Sequence, residues 1–307
     1  MFNFLKSPKT TLAIAAIFRN EKDYILEWIA WHQAQGVHKF IIYDNDSDDG
    51  TTQLLQQLEK LSIIDLHHIE RQENVQIKAY QKILTAYKNN IEIIAFIDAD
   101  EFIVPSDSKT VSTHIAQLFK NKKIGALGIN WKVFGTNSHQ KQPEGSVIQN
   151  YPLAGNDKNK RNHFIKSIYR PKAIQQIFAH RAKLNSQFEY INTQGNQLIF
   201  SSLNSLPEPT KANQTSGVSS QITANSLRIH HYALKSVEEF TTKKKYKGDA
   251  ILGENHIKSN SYFKEFDLND EQIIIPKLHL ENFQHQFLKL TILSERINYS
   301  SSKNTLK

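Results

Sequence analysis

The chain has 307 residues, 38 Lys and Arg against 30 Asp and Glu, a formal net charge of +8 and no cysteine. That length buries a sizeable core as one large α/β domain or a domain plus a subdomain, and the absence of cysteine excludes a disulfide framework and a thiolate zinc site. The basic balance favours an anionic partner, such as nucleotide phosphates, acidic glycans or a membrane surface. TLAIAAIF, Thr11 to Phe18, is too short to span a bilayer, and residues 1 to 24 carry no secretory signal.

Leu12 to Phe18 reads as a buried strand that leaves into FRNE, Phe18 to Glu21. Asp23 is placed to cap a helix with Ile25, Trp28, Ile29 and Trp31 on its apolar face and Glu27 and Gln33 pointing elsewhere, ending at Gly36. Lys39 to Tyr43 forms a second strand and leaves into the polar turn DNDSDDGT. Leu54, Leu55, Leu58 and Leu61 then mark a helix, Ile63 to Leu66 a third strand, and Ile77, Tyr80, Ile83, Leu84 and Tyr87 a third helix. Next comes IEIIAFIDADEFIV, Ile91 to Val104, whose apolar first half reads as a buried strand that ends abruptly in Asp98, Asp100 and Glu101. Strands alternating with helices imply right-handed crossovers and a mostly parallel sheet. Such sheets bind ligands outside the carboxyl ends of their strands, where FRNE, DNDSDDGT and DADEF converge.

Two aspartates one residue apart at a strand exit can offer hard oxygen ligands to one Mg²⁺ or Mn²⁺, which also accepts phosphate oxygens. The expected ligand is a metal-bound diphosphate. The plain alternative is a pair of polar caps on a strand end.

FRNE, DNDSDDGT and FIDADEF, in that order, resemble the nucleotide-sugar glycosyltransferases of the GT-A fold, in particular the family 2-like and family 92-like enzymes. The resemblance continues through Trp131, Phe134 and Gly135 in NWKVFGTNSHQKQPEG, KSIYRP at Lys166 to Pro171, and HHYALKSVEEFTTKKKYKG at His230 to Gly248. It covers roughly Ala13 to Gly248. It implies an α/β fold of GT-A type: a mostly parallel Rossmann-like sheet with flanking helices and a smaller acceptor-side subdomain. The expected division is a nucleotide-sugar half over 1–125, an acceptor-binding and metal-completing half over 126–256, and a helical tail over 257–307.

The same resemblance implies a metal-dependent, inverting sugar transfer from a nucleoside diphosphate donor, UDP first, to a glycan or lipid-linked glycan. Asp100 is the expected direct ligand of Mn²⁺ or Mg²⁺, with Asp98 on the metal, its water or the ribose, and His231 as third ligand. His230 and His231 as packing histidines are the alternative. Lys235 and Ser236 are expected to hold the diphosphate, while Lys243 to Lys245 read as a solvated basic face. Asp44 and Asn45 are expected at the nucleobase, and Asp46, Asp48 and Asp49 as caps of the turn and the following helix. Arg19, Asn20 and Glu21 border the same pocket. Gln76 is expected to face the nucleotide, and Lys78 either does so or is an exposed helical lysine.

Phe102 is expected to pack the strand into the core. Trp131 and Phe134 are either faces for a sugar ring or core aromatics, and Gly135 permits a tight turn or a close approach. The glutamate-aspartate pair of other family 2 enzymes is not evident, so Glu144 is the first candidate for general base, ahead of Asp249 and Glu239. The polar segment Ser201 to Ser226 reads as a long loop. The absence of a span and a signal leads to the expectation of a cytoplasmic protein, with basic charge for peripheral contact with an anionic inner membrane face, and without a nucleic-acid partner. Bacterial polysaccharide or lipopolysaccharide assembly is the setting by analogy. A nucleotidyltransferase is the first competing class, but FRNE lacks its Gly-rich basic phosphate loop; a non-catalytic glycan-binding module on the same scaffold is the second.

Overall fold

A computed structural model describes residues 12–201, 217–224, 226–248 and 256–304. Strands β1 (Leu12–Phe18), β2 (Lys39–Asp44), β3 (Asp65–His68) and β4 (Ile93–Phe96) alternate with helices α1 (Ile25–Ala34), α2 (Thr51–Lys60) and α3 (Val75–Tyr87). These four strands pair in parallel in the order β3-β2-β1-β4. β3 begins two residues later than the apolar run Ile63 to Leu66 predicts.

The strand expected in the apolar first half of Ile91 to Val104 ends at the acids. After β4 the chain turns through Asp98–Asp100, and β5 (Glu101–Pro105) crosses to the far edge of the sheet. Between them the remaining strands fill in. β6 (Ile124–Val133) follows α4 (Val111–Leu118), and beyond α5 (Val147–Asn150) and the short β7 (Leu153–Ala154) comes β8 (Ile165–Tyr169). β8 inserts antiparallel between β4 and β6. β9 (Ile174–Ile177) and β10 (Ala182–Leu184) form a separate hairpin, and β11 (Glu189–Ile191) adds to β6. β12 (Leu227–His231) lies parallel to β6 and antiparallel to β5. The result is a mixed α/β sheet in which strands from both sides of residue 125 are continuous. Then come α6 (Val237–Thr242), α7 (Asn260–Phe266), β13 (Glu271–Gln272), which pairs β7, and α8 (Lys277–Asn304).

Two pairings bring distant segments to the acidic turn. Ser167 of β8 is opposite Phe96 of β4, so Lys166 arrives beside Asp98. His231 of β12 is opposite Glu101 of β5. Helix α1 holds the turn from behind: Trp28 Nε1 donates to the carbonyls of Asp98 (3.1 Å) and Glu101 (2.9 Å), and Trp31 Nε1 to that of Ile103 (3.0 Å).

Helix α1 is buried on nearly every side. Trp28 meets Phe18 and Phe40 of the sheet, while Trp31 packs on Phe283 of α8, so the C-terminal helix covers α1. Asp23 does not cap α1, whose N-cap is Tyr24; it pairs instead with Lys243. Glu27, expected on an outer face, is buried and accepts the backbone N–H groups of Val147 (2.9 Å) and Ile148 (3.0 Å), tying α5 to α1. Gly135 shows the close approach: a Cβ there would stand 2.6 Å from the backbone nitrogen of Leu268. The polar segment Ser201 to Ser226 falls largely outside the described residues, as does Asp249.

Burial raises Glu27 to about 7 against the pull of those two N–H groups. The folded chain therefore holds this proton above the pH at which the unfolded chain releases it, and stability falls as pH rises from about 4.5 toward 7. Glu27→Gln should remove that slope, worth on the order of 3 kcal/mol. Melting temperatures of both proteins across pH 4.5 to 7.5 test it; a difference that stays flat with pH rejects the assignment.

Candidate functional site

The exits of β1, β2 and β4 open on one edge of the sheet, as parallel pairing requires. At the β4 exit each aspartate of the turn carries a lysine. Asp98 Oδ2 accepts from Lys166 Nζ at 2.9 Å and Oδ1 from Gln76 Nε2 at 2.6 Å, so both of its oxygens are engaged. Asp100 Oδ2 accepts from Lys244 Nζ, and Oδ1 faces His231 Nε2 across 3.7 Å. Burial opposes ionisation of Asp98, but the Lys166 ammonium holds its carboxyl below the usual range. For Asp100 burial is outweighed in the same way by Lys244, with His231 beside it, and the carboxyl is held well below that range.

Lys166 is 1 % exposed and also faces Glu101 Oε2 at 3.7 Å. Glu101 is fully buried, accepts the N–H of Asp98 at 2.9 Å, and leaves Oε1 without a hydrogen bond among the described residues. Burial raises its carboxyl, Lys166 pulling the other way. Glu101 thus closes the turn rather than facing ligand. Phe102 is buried against His32 and Tyr232, as its core assignment predicts.

At the β1 exit, Asn20 takes positive φ (55°) and exchanges hydrogen bonds with Asp48, joining FRNE to the second polar turn. Glu21 pairs with Lys247 and faces Lys235 at 3.9 Å. Arg19 is half-buried and makes no side-chain hydrogen bond or ion pair among the described residues. At the β2 exit Asp44 is buried, with Oδ2 on Thr52 (2.5 Å) and Oδ1 without a partner among the described residues. Asn45 spends its amide on the carbonyl of Ile69 (3.0 Å). Asp49 accepts the N–H of Thr51 and closes the turn, but the N-cap of α2 is Gly50; Asp46 holds His68 and Arg71. Gln76 reaches the site through Asp98; Lys78 is exposed and bonded to Gln72.

Lys235 occupies a left-handed position (φ 57°) and lays its ammonium 3.5 Å from the Tyr24 ring centroid. Burial lowers it to about 8, while Glu21 and Asp100 pull it up. Ser236 corrects an expectation. It is buried, caps α6, and exchanges hydrogen bonds with Glu239, so its hydroxyl is committed to the capping box. Glu239 receives Tyr24 on one oxygen and Tyr151 and Ser236 on the other, which fixes it in the capping box at the start of α6. Trp131 and Phe134 are core aromatics: Trp131 stacks on Phe164 and abuts His231, and Phe134 stacks on Tyr232. Glu144 is exposed, and its carbonyl accepts from Asn150.

Sequence reasoning missed Lys166, Lys244 and Lys247 as members of the site. Lys166 carried a signal, since it is the lone charge in the apolar strand IKSIY.

Fold and site together define an α/β protein with a cluster of charged side chains at the carboxyl edge of its parallel strands. The chain belongs to glycosyltransferase family 92, whose family profile matches residues 9–262. It is 26% identical over 195 residues to a family 92 protein of Oryza sativa subsp. japonica, covering 62% of this chain and 32% of that protein. A family 92 protein of Ricinus communis is 22% identical over 61% of this chain and 34% of its own length. The chain thus spans about a third of the length of these curated relatives. Among solved structures, S. aureus TarS 1–349 in complex with UDP aligns with a TM-score of 0.36 at 16% identity, over 53% of this chain and 47% of that one. Among the described residues no helix is long and apolar enough to cross a membrane.

Removing the Lys166 ammonium leaves Asp98 and Glu101 without a counter-ion. Lys166→Met should cost about 3 kcal/mol, the low end for a broken buried pair because Asp98 keeps 34% of its side chain exposed. Denaturant unfolding measures it, and a loss under about 1 kcal/mol would show that Lys166 does not hold the turn.

Proposed function

We propose that the chain is a glycosyltransferase that moves a sugar from a nucleoside diphosphate, UDP first, to a glycan or lipid-linked glycan. The observation that carries this reading is the gathering of Asp98, Asp100, His231 and the lysines at 166, 235, 244 and 247 at the exit of β4, in a chain of this family.

The donor set suits Mn²⁺ or Mg²⁺. Among the described residues no three acids or histidines cluster as a protein-only metal site. The ion proposed is therefore one held by one or two side chains and completed by substrate phosphates and water, the habit of Mg²⁺. Asp100 and His231 are the proposed ligands. Asp98, with both oxygens engaged, orients the turn and the ribose side of the pocket. When bound, the cation neutralises charge on the departing nucleoside diphosphate. Lys235 is the proposed phosphate contact, and the unpartnered Asp44 Oδ1 the acceptor for a nucleobase N–H. Arg19, Asn20 and Glu21 line the same edge. Glu144 remains the proposed base that takes the acceptor hydroxyl proton; its loop is tied to α6 by Val237 N–H on the His139 carbonyl (3.0 Å). The basic charge suits a cytoplasmic enzyme working peripherally at an anionic membrane face, as polysaccharide or lipopolysaccharide assembly requires.

Thermal unfolding with a panel of UDP-sugars, with Mn²⁺ or with chelator, tests the reading. One UDP-sugar should raise the midpoint in Mn²⁺, by about 2.7 kcal/mol of added stability at a hundredfold excess over Kd. The rise should vanish with chelator and in Asp100→Asn. No rise with any nucleotide in folded protein overturns the donor site and leaves the glycan-binding module.

A further inference from the structure

The three lysines that read as one solvated face diverge in the structure. Lys243 pairs at the surface with Asp23 (2.8 Å, side chain 54% exposed), Lys245 accepts the N–H of Lys258 on its carbonyl, and Lys244 turns inward to Asp100. The local fold causes this. The capping box at Ser236 and Glu239 starts a helix of only six residues, and a 3₁₀ turn over Lys244–Tyr246 follows. With three residues per turn, positions 244 and 247 face the same way, and Lys247 reaches Glu21 as Lys244 reaches Asp100.

Asp100 therefore already holds a cation, the ammonium of Lys244. A divalent ion on Asp100 would displace that ammonium, and an ammonium whose side chain is only 25% exposed is costly to leave without an anion. The diphosphate that completes the ion's coordination supplies the missing anion. Resting on the donor reading above, we propose that Lys244 is a phosphate-binding residue held in reserve on Asp100: the cation takes the carboxylate and Lys244 transfers to the donor diphosphate. Every charge keeps a partner before and after the exchange. Cation and nucleotide then bind cooperatively, each raising the affinity for the other by the same factor.

Isothermal titration of purified protein with Mn²⁺ alone and with UDP in saturating Mn²⁺ tests the exchange, using wild type, Lys244→Met, Lys244→Gln and Lys243→Met. The Lys244 variants lose both a competitor of Mn²⁺ and a ligand of UDP, so the two affinities should move in opposite directions. Mn²⁺ alone should bind about tenfold tighter and UDP about tenfold weaker, the factor that one hydrogen bond to a charged group represents. Lys243→Met, altered at the surface pair only, should change neither. UDP binding that is unchanged or tighter in both folded Lys244 variants overturns the proposal and makes Lys244 a counter-ion only. Wild-type protein that binds neither Mn²⁺ nor UDP overturns the donor site itself, and the exchange with it.

Discussion

The site depends on one buried ammonium. Three acids within four residues, Asp98, Asp100 and Glu101, cannot share a turn at the edge of a core without a counter-charge beneath them. Lys166 supplies it from a strand 68 residues further along, reaching Asp98, Glu101 and the carbonyl of Ala179. The antiparallel insertion of β8 beside β4 is what makes that reach possible. From the other side Trp28 and Trp31 bind the backbone carbonyls of the same turn, so its position is set by α1 as well as by the sheet. A turn held from both faces is a rigid base for ligand contacts.

The parallel half of the fold was legible because each of its strands and helices is short, locally periodic and separated by polar turns. What failed there failed for stated reasons. Glu27 was read by an amphipathic rule that assumes one wet face, whereas α1 lies between the sheet and α8 and has almost none. The apolar first half of Ile91 to Val104 does show β4 and its end at the acids, but nothing local says that Glu101–Pro105 returns as a strand at the far edge of the sheet. The antiparallel half was beyond reach, since the positions of β8, β12 and β5 follow from pairings between residues far apart in sequence, which no local pattern encodes.

The same contrast holds inside the site. Asp98, Asp100 and His231 announce themselves by residue type and motif. Lys244 does not: a run of three lysines reads as solvent-exposed by any local rule, and the rule holds for Lys243 while failing one residue later. The deciding partner, Asp100, is 144 residues away. Ser236 fails in the opposite sense. It has the chemistry to hold a phosphate, but Glu239 three residues on claims its hydroxyl for a helix N-terminus. Competition between capping and ligand binding is decided by the start of α6, which the sequence does signal as Ser-x-x-Glu.

The charge balance of the cluster bears on the proposed reaction. Lys166, Lys235, Lys244 and Lys247 face Asp98, Asp100 and Glu21, while burial favours the neutral form of Glu101. One ammonium is thus in surplus. A sugar nucleotide with its divalent cation adds no net charge on arrival, since the diphosphate is a dianion. Breaking the glycosidic bond leaves one further negative charge on the nucleoside diphosphate. In the proposed reaction one cation in excess would favour that separated state over the bound donor. Lys235 is the group in surplus: Glu21, the carboxylate it faces at 3.9 Å, is already paired with Lys247. Its left-handed backbone position and its place over the Tyr24 ring hold it where that charge would be felt.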